Sequence, residues 1–379
     1  MCCGGGLVRD RYFDSLRVLA IIRVSVYHMF PFAVLELVFP SMGVMFALAG
    51  SLMANSLARG SSRYNVIFGR IRRLLPAYWV LGLFVVPAML LLGWDERPAL
   101  WHLTAWVVPF VSPPSSDVGL QAQEVIWYLV TYLWLVALSP VLLWLYRRAW
   151  LVTIVAPLAL LLALTIWPAW PANPNFQDVG TDLLTYAGCW ILGFAHRDGT
   201  LRKVSAGLVA SLAVVCVGGA LFWAHRHGAL QDMPVAYGIY QIGFVLALLR
   251  WQPDMAWLTR RRGLDNWVTL INARAVTIYL WNNVAIALCF PIGDALSTWI
   301  LGQTGEELSY CVIALALLTN AVLLFGWVED LAAKRTLRFL PWPHPTPAKP
   351  AGRATVPSLS RRWNDPVPHY ATTSPRPRL

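Results

Sequence analysis

The chain has 379 residues, of which 58% are hydrophobic and only 13% are charged, with a formal net charge of +11 at pH 7. A soluble protein carries about twice that charged fraction, so this composition excludes a soluble globular domain. The basic residues lie in short stretches between apolar blocks, not in a stripe interleaved with aromatics, which excludes a nucleic-acid-binding surface. The six cysteines form no C-x-x-C pair or zinc ligand set, and we expect no metal site.

The apolar residues fall in blocks that approach or reach the roughly 20 residues of a membrane-spanning helix. We predict an all-α, polytopic transmembrane bundle with about ten spans. The apolar segment 99–111 is too short to cross, and we interpret it as re-entrant or interfacial. The predicted spans lie near residues 12–37, 40–58, 72–92, 125–146, 149–168, 179–195, 204–223, 233–250, 269–290 and 309–328.

Lys and Arg residues follow every second predicted span, and the positive-inside rule therefore places both termini in the cytoplasm of a plasma-membrane protein. We divide the chain into a cytoplasmic segment 1–11, a transmembrane domain 12–328 and a tail 329–379. The tail is rich in Pro and Arg and cannot bury a core, so we predict that it is largely disordered. The basic clusters are Arg59, Arg63, Arg70, Arg72 and Arg73; Arg147 and Arg148; Arg197, Arg202 and Lys203; Arg260, Arg261 and Arg262; and Lys334, Arg335 and Arg338.

The first predicted span contains "SLRVLAIIRVSVYHMF", with three basic residues in an apolar segment. Arg17 and His28 are eleven residues apart, about three helical turns and 16 Å on nearly the same face, whereas Arg23 projects roughly 120° away and is unexplained. Asp14 lies one turn before Arg17 and is a candidate ion-pair partner for it. Ionisable groups inside a membrane usually line a functional cavity. The alternatives are that Arg17 snorkels to the interface and that His28 only bonds a neighbouring helix.

A second basic cluster stands in "FGRIRRLLPAYWV", where the third span begins. Arg70 and Arg73 are one turn apart and Arg72 lies beside them. Guanidinium groups at a helix N-terminus suit phosphate groups, so the cluster is a candidate phosphate-binding site. The alternative is that these arginines only fix the membrane topology.

Five segments, taken in order, resemble acyltransferase family 3, the membrane acyltransferases that include O-antigen acetylases. The resemblance covers most of residues 12–328. It departs from the family at two places: Ala49-Gly50-Ser51 stands where the family usually has Ser-Gly, and Asn282 stands where the late helix commonly carries a histidine. The segments are "FDSLRVLAIIRVSVYH", similar to the family's R-x10-H helix, "GVMFALAGSLMA", "RIRRLLPAYW", "EVIWYLVTYLWLVALSPVL" and "RAVTIYLWNNVAI".

The resemblance implies transfer of an acyl group, most often acetyl, from acyl-CoA to a hydroxyl of an extracytoplasmic glycan or secondary metabolite. Acyl-CoA is then a co-substrate, and no cofactor is permanently bound. The phosphates would lie near Arg70, Arg72 and Arg73. His28 would act as a general base or transiently take the acyl group, and Arg17 would hold a phosphate or stabilise developing negative charge.

The residues expected to bind the acceptor, or to support Arg17 and His28 from behind, are polar or aromatic side chains. Aromatic anchoring at the membrane interface and simple solvation of the acids are the alternatives for them. Trp101, His102, Trp281 and Glu36 are weaker candidates. The main candidates are Asp14, Glu124, Trp127, Tyr128, Asn282 and Asn283.

Two other functions fit the same residues. In a transporter or flippase of an amphipathic or lipid-linked molecule, Arg17 and His28 would bind or relay rather than catalyse. In a degenerate family member kept as an assembly partner, Asn282 would mark the loss of catalysis, because an amide cannot act as a base near neutral pH.

Overall fold

The computed structural model describes residues 10–60, 62–94, 98–170 and 173–337, and this part of the chain folds into helices without a strand. The predicted tail beyond residue 337 and nearly all of the predicted N-terminal segment lie outside the described residues. The α-helices are α1 Arg11–Met29, α2 Ala33–Val38, α3 Ser41–Ala58, α4 Arg63–Leu92, α5 Leu120–Gln123, α6 Ile126–Arg148, α7 Trp150–Ile166, α8 Pro174–Arg197, α9 Thr200–Lys203, α10 Ala206–His227, α11 Pro234–Arg250, α12 Ala256–Arg260, α13 Arg262–Ala273, α14 Ala275–Ala295, α15 Gln303–Phe325 and α16 Trp327–Ala332.

Six segments of the described chain are long and apolar enough to cross a membrane, which confirms the all-α transmembrane class. Helices α7 and α11 are apolar but shorter, and α1 and α8 carry more charge. These four correspond to the other predicted spans, so the count of ten stays a prediction. The six segments are Val34–Ala58, Arg63–Leu92, Ile126–Arg148, Ala206–His227, Ala275–Ala295 and Gln303–Ala332.

Two predicted spans are interrupted. The predicted span 12–37 breaks between α1 and α2, where Pro31 lacks the backbone N–H of a continuing helix and disfavours helical geometry at the residue before it. The predicted span 269–290 divides at Arg274, which separates α13 from α14. The fully buried Arg274 side chain donates to Asp330 over 2.7 Å. This interior ion pair fixes the break, because a buried guanidinium needs a partner.

The third predicted span begins earlier than expected, at Arg63 rather than residue 72. Arg70, Arg72 and Arg73 are therefore the eighth, tenth and eleventh residues of α4, in its second and third turns and not at its N-terminus. The prediction that they sit at a positive helix end is wrong, and any anion affinity of this cluster comes from the guanidinium groups themselves.

The segment 99–111 lies against α4 and does not form a spanning helix. Its only regular element among the described residues is the five-residue 3₁₀ helix His102–Trp106. Tyr78 donates through its hydroxyl to the Ala105 carbonyl over 2.8 Å, and the Trp79 indole donates to the Val107 carbonyl over 2.7 Å. The segment is thus a packed connector, which agrees with the prediction that it does not cross.

Helices α3 and α8 form the centre of the larger apolar core, and two glycines let their backbones touch. A Cβ at Gly50 would lie 2.2 Å from the Trp190 carbonyl oxygen, and a Cβ at Gly193 would lie 2.2 Å from the Ala47 carbonyl oxygen. Trp190 is fully buried beside them, and its indole donates to Ser139 over 3.0 Å. Small residues at such an interface allow the close helix packing that stabilises membrane bundles.

We expect Gly50→Ala to lower the melting temperature of the purified protein in detergent, because the added methyl group has no room and overpacking costs about 1–3 kcal/mol. Gly218→Ala on α10 is the matched control, since a Cβ there meets nothing within 4 Å. The control should leave the melting temperature unchanged or raise it, because alanine is the better helix former. Equal melting temperatures for both variants would contradict the close α3–α8 contact.

Candidate functional site

The N-terminal end of α1 is fixed by its cap and its buried face. Asp10 accepts hydrogen bonds from the backbone N–H groups of Tyr12 and Phe13 over 3.0 and 3.3 Å. Tyr12, Phe13 and Leu16 belong to the larger apolar core. With that face buried, α1 contacts α3, α13 and α14, and Arg17 faces the junction between α13 and α14.

Arg17 is held by Asn272 of α13. Its Nη1 donates to the Asn272 side-chain oxygen over 3.2 Å, and the Asn272 amide donates to the Asp14 carbonyl over 2.9 Å. The carboxylate of Asp14 lies 3.5 Å from Nη1 of Arg11. The Asp14 carboxylate thus lies within ion-pair distance of Arg11, also one turn away, and Asn272 orients Arg17. The Asp14–Arg17 ion pair stays a prediction.

Most of the basic residues predicted for the site line a cavity of about 400 Å³, which we call the arginine cavity. Arg17, Arg70 and Arg73 line it together with Arg335 and Glu329. A smaller cavity of about 190 Å³ shares four of these residues and extends the same space. The wall residues that complete the arginine cavity include Asn272, Ala275, Val276, Tyr128, Tyr132, Tyr279 and Leu280.

The arginines of this cavity differ in how firmly they are held. Arg70 donates through Nη2 to the Leu52 carbonyl and the Ser56 hydroxyl, each over 3.1 Å. Arg73 makes no hydrogen bond or ion pair with the described residues, so its guanidinium is available to a ligand. Arg72 is not among the residues that line the cavity, and its part in binding acyl-CoA stays a prediction. One residue on a helix turns by about 100°, which carries Arg72 away from the face of Arg73.

Glu329 is the carboxylate of the arginine cavity, and it bonds the first turn of α14. It accepts from the Thr277 backbone N–H over 2.7 Å and from the Thr277 hydroxyl over 2.5 Å. Four guanidinium groups and one carboxylate line the cavity, so its net charge is strongly positive. Such a charge suits a phosphorylated ligand.

Asn272 and Glu329 were not among the residues predicted for the site, and Arg335 was used only to orient the chain in the membrane. Glu329 stood out in the sequence as an acid beside an apolar block, which is a signal for function inside a membrane protein. Asn272 carried no comparable signal, because its role depends on a contact with Arg17 that is 255 residues distant in the chain.

His28 lies at the other end of α1, against α14. Its Nδ1 is 3.3 Å from the Asn283 amide nitrogen, and the Asn282 amide donates to the Asn283 side-chain oxygen over 3.2 Å. His28 does not line the arginine cavity. Leu280, which does, precedes Asn283 by three residues, or about 4.5 Å along the helix. The predicted histidine is therefore about one helical turn beyond the cavity wall.

Arg23, which the sequence left unexplained, holds α2 against α1. Its Nε donates to the Leu35 carbonyl over 3.0 Å, its Nη2 lies 4.0 Å from the Glu36 carboxylate, and its guanidinium covers the Tyr27 ring at 5.0 Å. Glu36 is thus a partner of Arg23 and not an acid of the site.

A second polar cavity, of about 220 Å³, lies beside the first turn of α6, and we call it the carboxylate cavity. Glu124, Trp127, Asp178 and Asp182 line it, and an adjoining space of about 370 Å³ shares the last three. The three carboxylates form no ion pair or hydrogen bond with the described residues. Tyr128, the next residue after Trp127, lines the arginine cavity, so the start of α6 separates the two spaces.

The remaining weaker candidates belong to neither cavity. The ring of Trp281 stacks on Phe325 with centroids 4.6 Å apart. Trp101 is 68% exposed, and its ring lies against that of His102 at 3.5 Å. Among the residues that the structure describes, no group of three His, Cys, Asp or Glu side chains is arranged to hold a metal ion.

The geometry places a positive cavity on one side of a tyrosine wall, a histidine one turn beyond it, and a carboxylate-lined cavity across the first turn of α6. No curated protein and no solved structure is significantly similar to the chain. A family profile described as an acyltransferase domain, Acyl_transf_3, matches residues 10–325, well over half of the chain. The match contains α1 with Arg17 and His28, α4 with its arginines and α14 with both asparagines. The chain therefore belongs to acyltransferase family 3.

Proposed function

We propose that the protein moves an acyl group, normally acetyl, from acyl-CoA to a hydroxyl of an extracytoplasmic glycan or secondary metabolite. One observation carries this proposal: α14 lines the arginine cavity with Tyr279 and Leu280 and, one turn later, contacts His28 through Asn283. A donor with its phosphates among the arginines and its thioester at the inner end of the cavity would have its reacting carbon near this histidine.

The arginine cavity suits the anionic part of CoA. Arg73 has no hydrogen-bond or ion-pair partner among the residues that the structure describes, and Arg17 and Arg335 face the same space from other parts of the chain. Three phosphate groups spread along the ligand would satisfy guanidinium groups that come from α1, α4 and the segment after α16. Tyr128, Tyr132 and Tyr279 offer an apolar wall with polar tips to the rest of the donor.

The carboxylate cavity suits the acceptor. Carboxylate oxygens accept hydrogen bonds from hydroxyl groups, and the face of an aromatic ring packs against a sugar ring. Glu124, Asp178 and Asp182 supply the acceptors, and Trp127 supplies the ring. The positive-inside pattern would place the arginine cavity on the cytoplasmic side of the plasma membrane, with both termini cytoplasmic, and the acceptor on the other side.

We expect the purified protein to release free CoA thiol from acetyl-CoA, by hydrolysis or transfer, and His28→Ala to lower the rate of this release at least about 100-fold while the folded protein is recovered. The reason is that His28 is the titratable side chain about one helical turn beyond the wall of the arginine cavity, where the thioester of the donor would lie. Unchanged release in His28→Ala would remove His28 from the reaction. A transporter would instead move an amphipathic substrate across proteoliposomes without CoA, and that result together with no thiol release would contradict the acyltransferase assignment.

We expect Arg73→Ala to raise the KM for acetyl-CoA about 10-fold or more, since a charge-assisted hydrogen bond contributes roughly 1.5–3 kcal/mol. Arg72→Ala is the matched control: it removes the same charge one residue away, outside the cavity, and should leave the KM within about twofold. Equal effects of the two variants would mean that the arginines act only through general surface charge.

A further inference from the structure

Two adjacent buried asparagines connect α14 to His28 in a short chain of hydrogen bonds. Asn283 is fully buried and Asn282 is 5% exposed. The Asn282 amide nitrogen donates to the Asn283 oxygen over 3.2 Å. The Asn283 oxygen thereby accepts one hydrogen bond from Asn282, and the Asn283 NH₂ group is the one that faces His28 Nδ1 at 3.3 Å.

This direction decides which nitrogen of the imidazole carries the proton. A neutral imidazole has one N–H and one bare nitrogen, and an NH₂ group can bond only the bare nitrogen. With Nδ1 accepting from Asn283, the proton of neutral His28 is on Nε2. A histidine in this tautomer cannot accept a proton at Nε2, and its Nδ1 lone pair is already used.

Resting on the proposed acyl transfer, we propose that His28 acts as a hydrogen-bond donor to the thioester carbonyl oxygen, through an Nε2–H that Asn283 and Asn282 hold in place, and not as the general base. In the step, the acceptor oxygen bonds the carbonyl carbon and the π electron pair moves to the carbonyl oxygen, which Nε2–H stabilises. The tetrahedral species then collapses, the C–S bond breaks and its electron pair leaves with sulfur. The proton of the acceptor hydroxyl passes, directly or through water, to the departing sulfur, giving ester and free CoA thiol with no net release of a proton.

A neutral donor suits this task for physical reasons. Negative charge develops on the carbonyl oxygen only in the transition state, and a fixed N–H aimed at that position stabilises it without reorganisation. Neutral histidines serve as such electrophiles in other enzymes. An amide in the place of an orienting carboxylate is also known to select this tautomer and to remove the basic Nε2.

The same arrangement gives Asn282 a role. An amide does not titrate near neutral pH, so the hydrogen bond from Asn282 to the Asn283 oxygen is present at every pH near neutrality. Asn282 therefore keeps the Asn283 amide in one orientation, and it is a positioning residue that acts through Asn283.

The decisive comparison is His28→Gln with His28→Ala, measured as release of CoA thiol from acetyl-CoA. Glutamine places an N–H donor near the Nε2 position but cannot act as a base near neutral pH. We expect His28→Ala to lose about 100- to 1,000-fold in kcat, as removal of an oxyanion donor does. We expect His28→Gln to retain a rate at least about 10-fold above the alanine variant. Equal loss in both variants would overturn the donor role.

The tautomer itself has a readout that needs no turnover. In ¹⁵N-histidine-labelled wild-type protein, with the His28 signals assigned by their absence in His28→Gln, we expect Nε2 to be protonated and Nδ1 to be bare. A protonated Nδ1 in the neutral ring would overturn the proposal even in a preparation that shows no acyl transfer. A wild type that has this tautomer but no thiol release would instead contradict the proposed function.

The positioning role is tested by Asn283→Asp. A carboxylate only accepts hydrogen bonds, so the proton of neutral His28 should move to Nδ1. The ¹⁵N signal of Nδ1 should then be that of a protonated nitrogen, and the signal of Nε2 that of a bare nitrogen. Asn320→Asp is the matched control, because within the described part of the chain Asn320 donates to the Ala316 carbonyl of its own helix α15 and to no residue of α1 or α14. In Asn320→Asp the ¹⁵N signals of His28 should be the same as in the wild type. Wild-type His28 signals in folded Asn283→Asp would show that Asn283 does not set the tautomer.

Discussion

A guanidinium group cannot be left in hydrocarbon, and the arrangement of the bundle follows from this constraint. Arg17 on α1 and Arg70 and Arg73 on α4 all lie in otherwise apolar segments, and each faces the arginine cavity. Arg274, at the junction of α13 and α14, instead pairs with Asp330 in the interior. Helices α1, α4 and α14 are therefore held around shared polar space, and the bilayer meets the apolar faces that remain.

The sequence predicted the helix class and most helix positions, and it singled out Arg17, Arg70, Arg73 and His28 as candidates, because charge in an apolar block is a strong signal. The sequence did not identify an ion-pair partner where two candidates were equally near along the helix, or where the partner was distant in the chain. Asp14 has Arg11 and Arg17 each one turn away, and spacing alone does not choose between them. The break at Arg274 depends on Asp330, which no periodicity in the chain indicates.

The two cavities divide the candidate residues that the sequence had treated as one group. Trp127 and Tyr128 are neighbours in the chain but line different spaces, because consecutive helical residues diverge by about 100°. Asn282 was identified only as a departure from a family pattern. Its meaning depends on Asn283 and His28, which come together only when α1 and α14 pack.

In the proposed complex the arginine cavity holds the CoA part of the donor with its sulfur directed toward His28. A cryo-EM structure of the protein with bound CoA would show this arrangement. We expect phosphate density between Arg73, Arg17 and Arg335, and the thiol sulfur beyond Tyr279 within reach of His28. CoA bound elsewhere, or bound in the cavity with its sulfur directed away from His28, would contradict it.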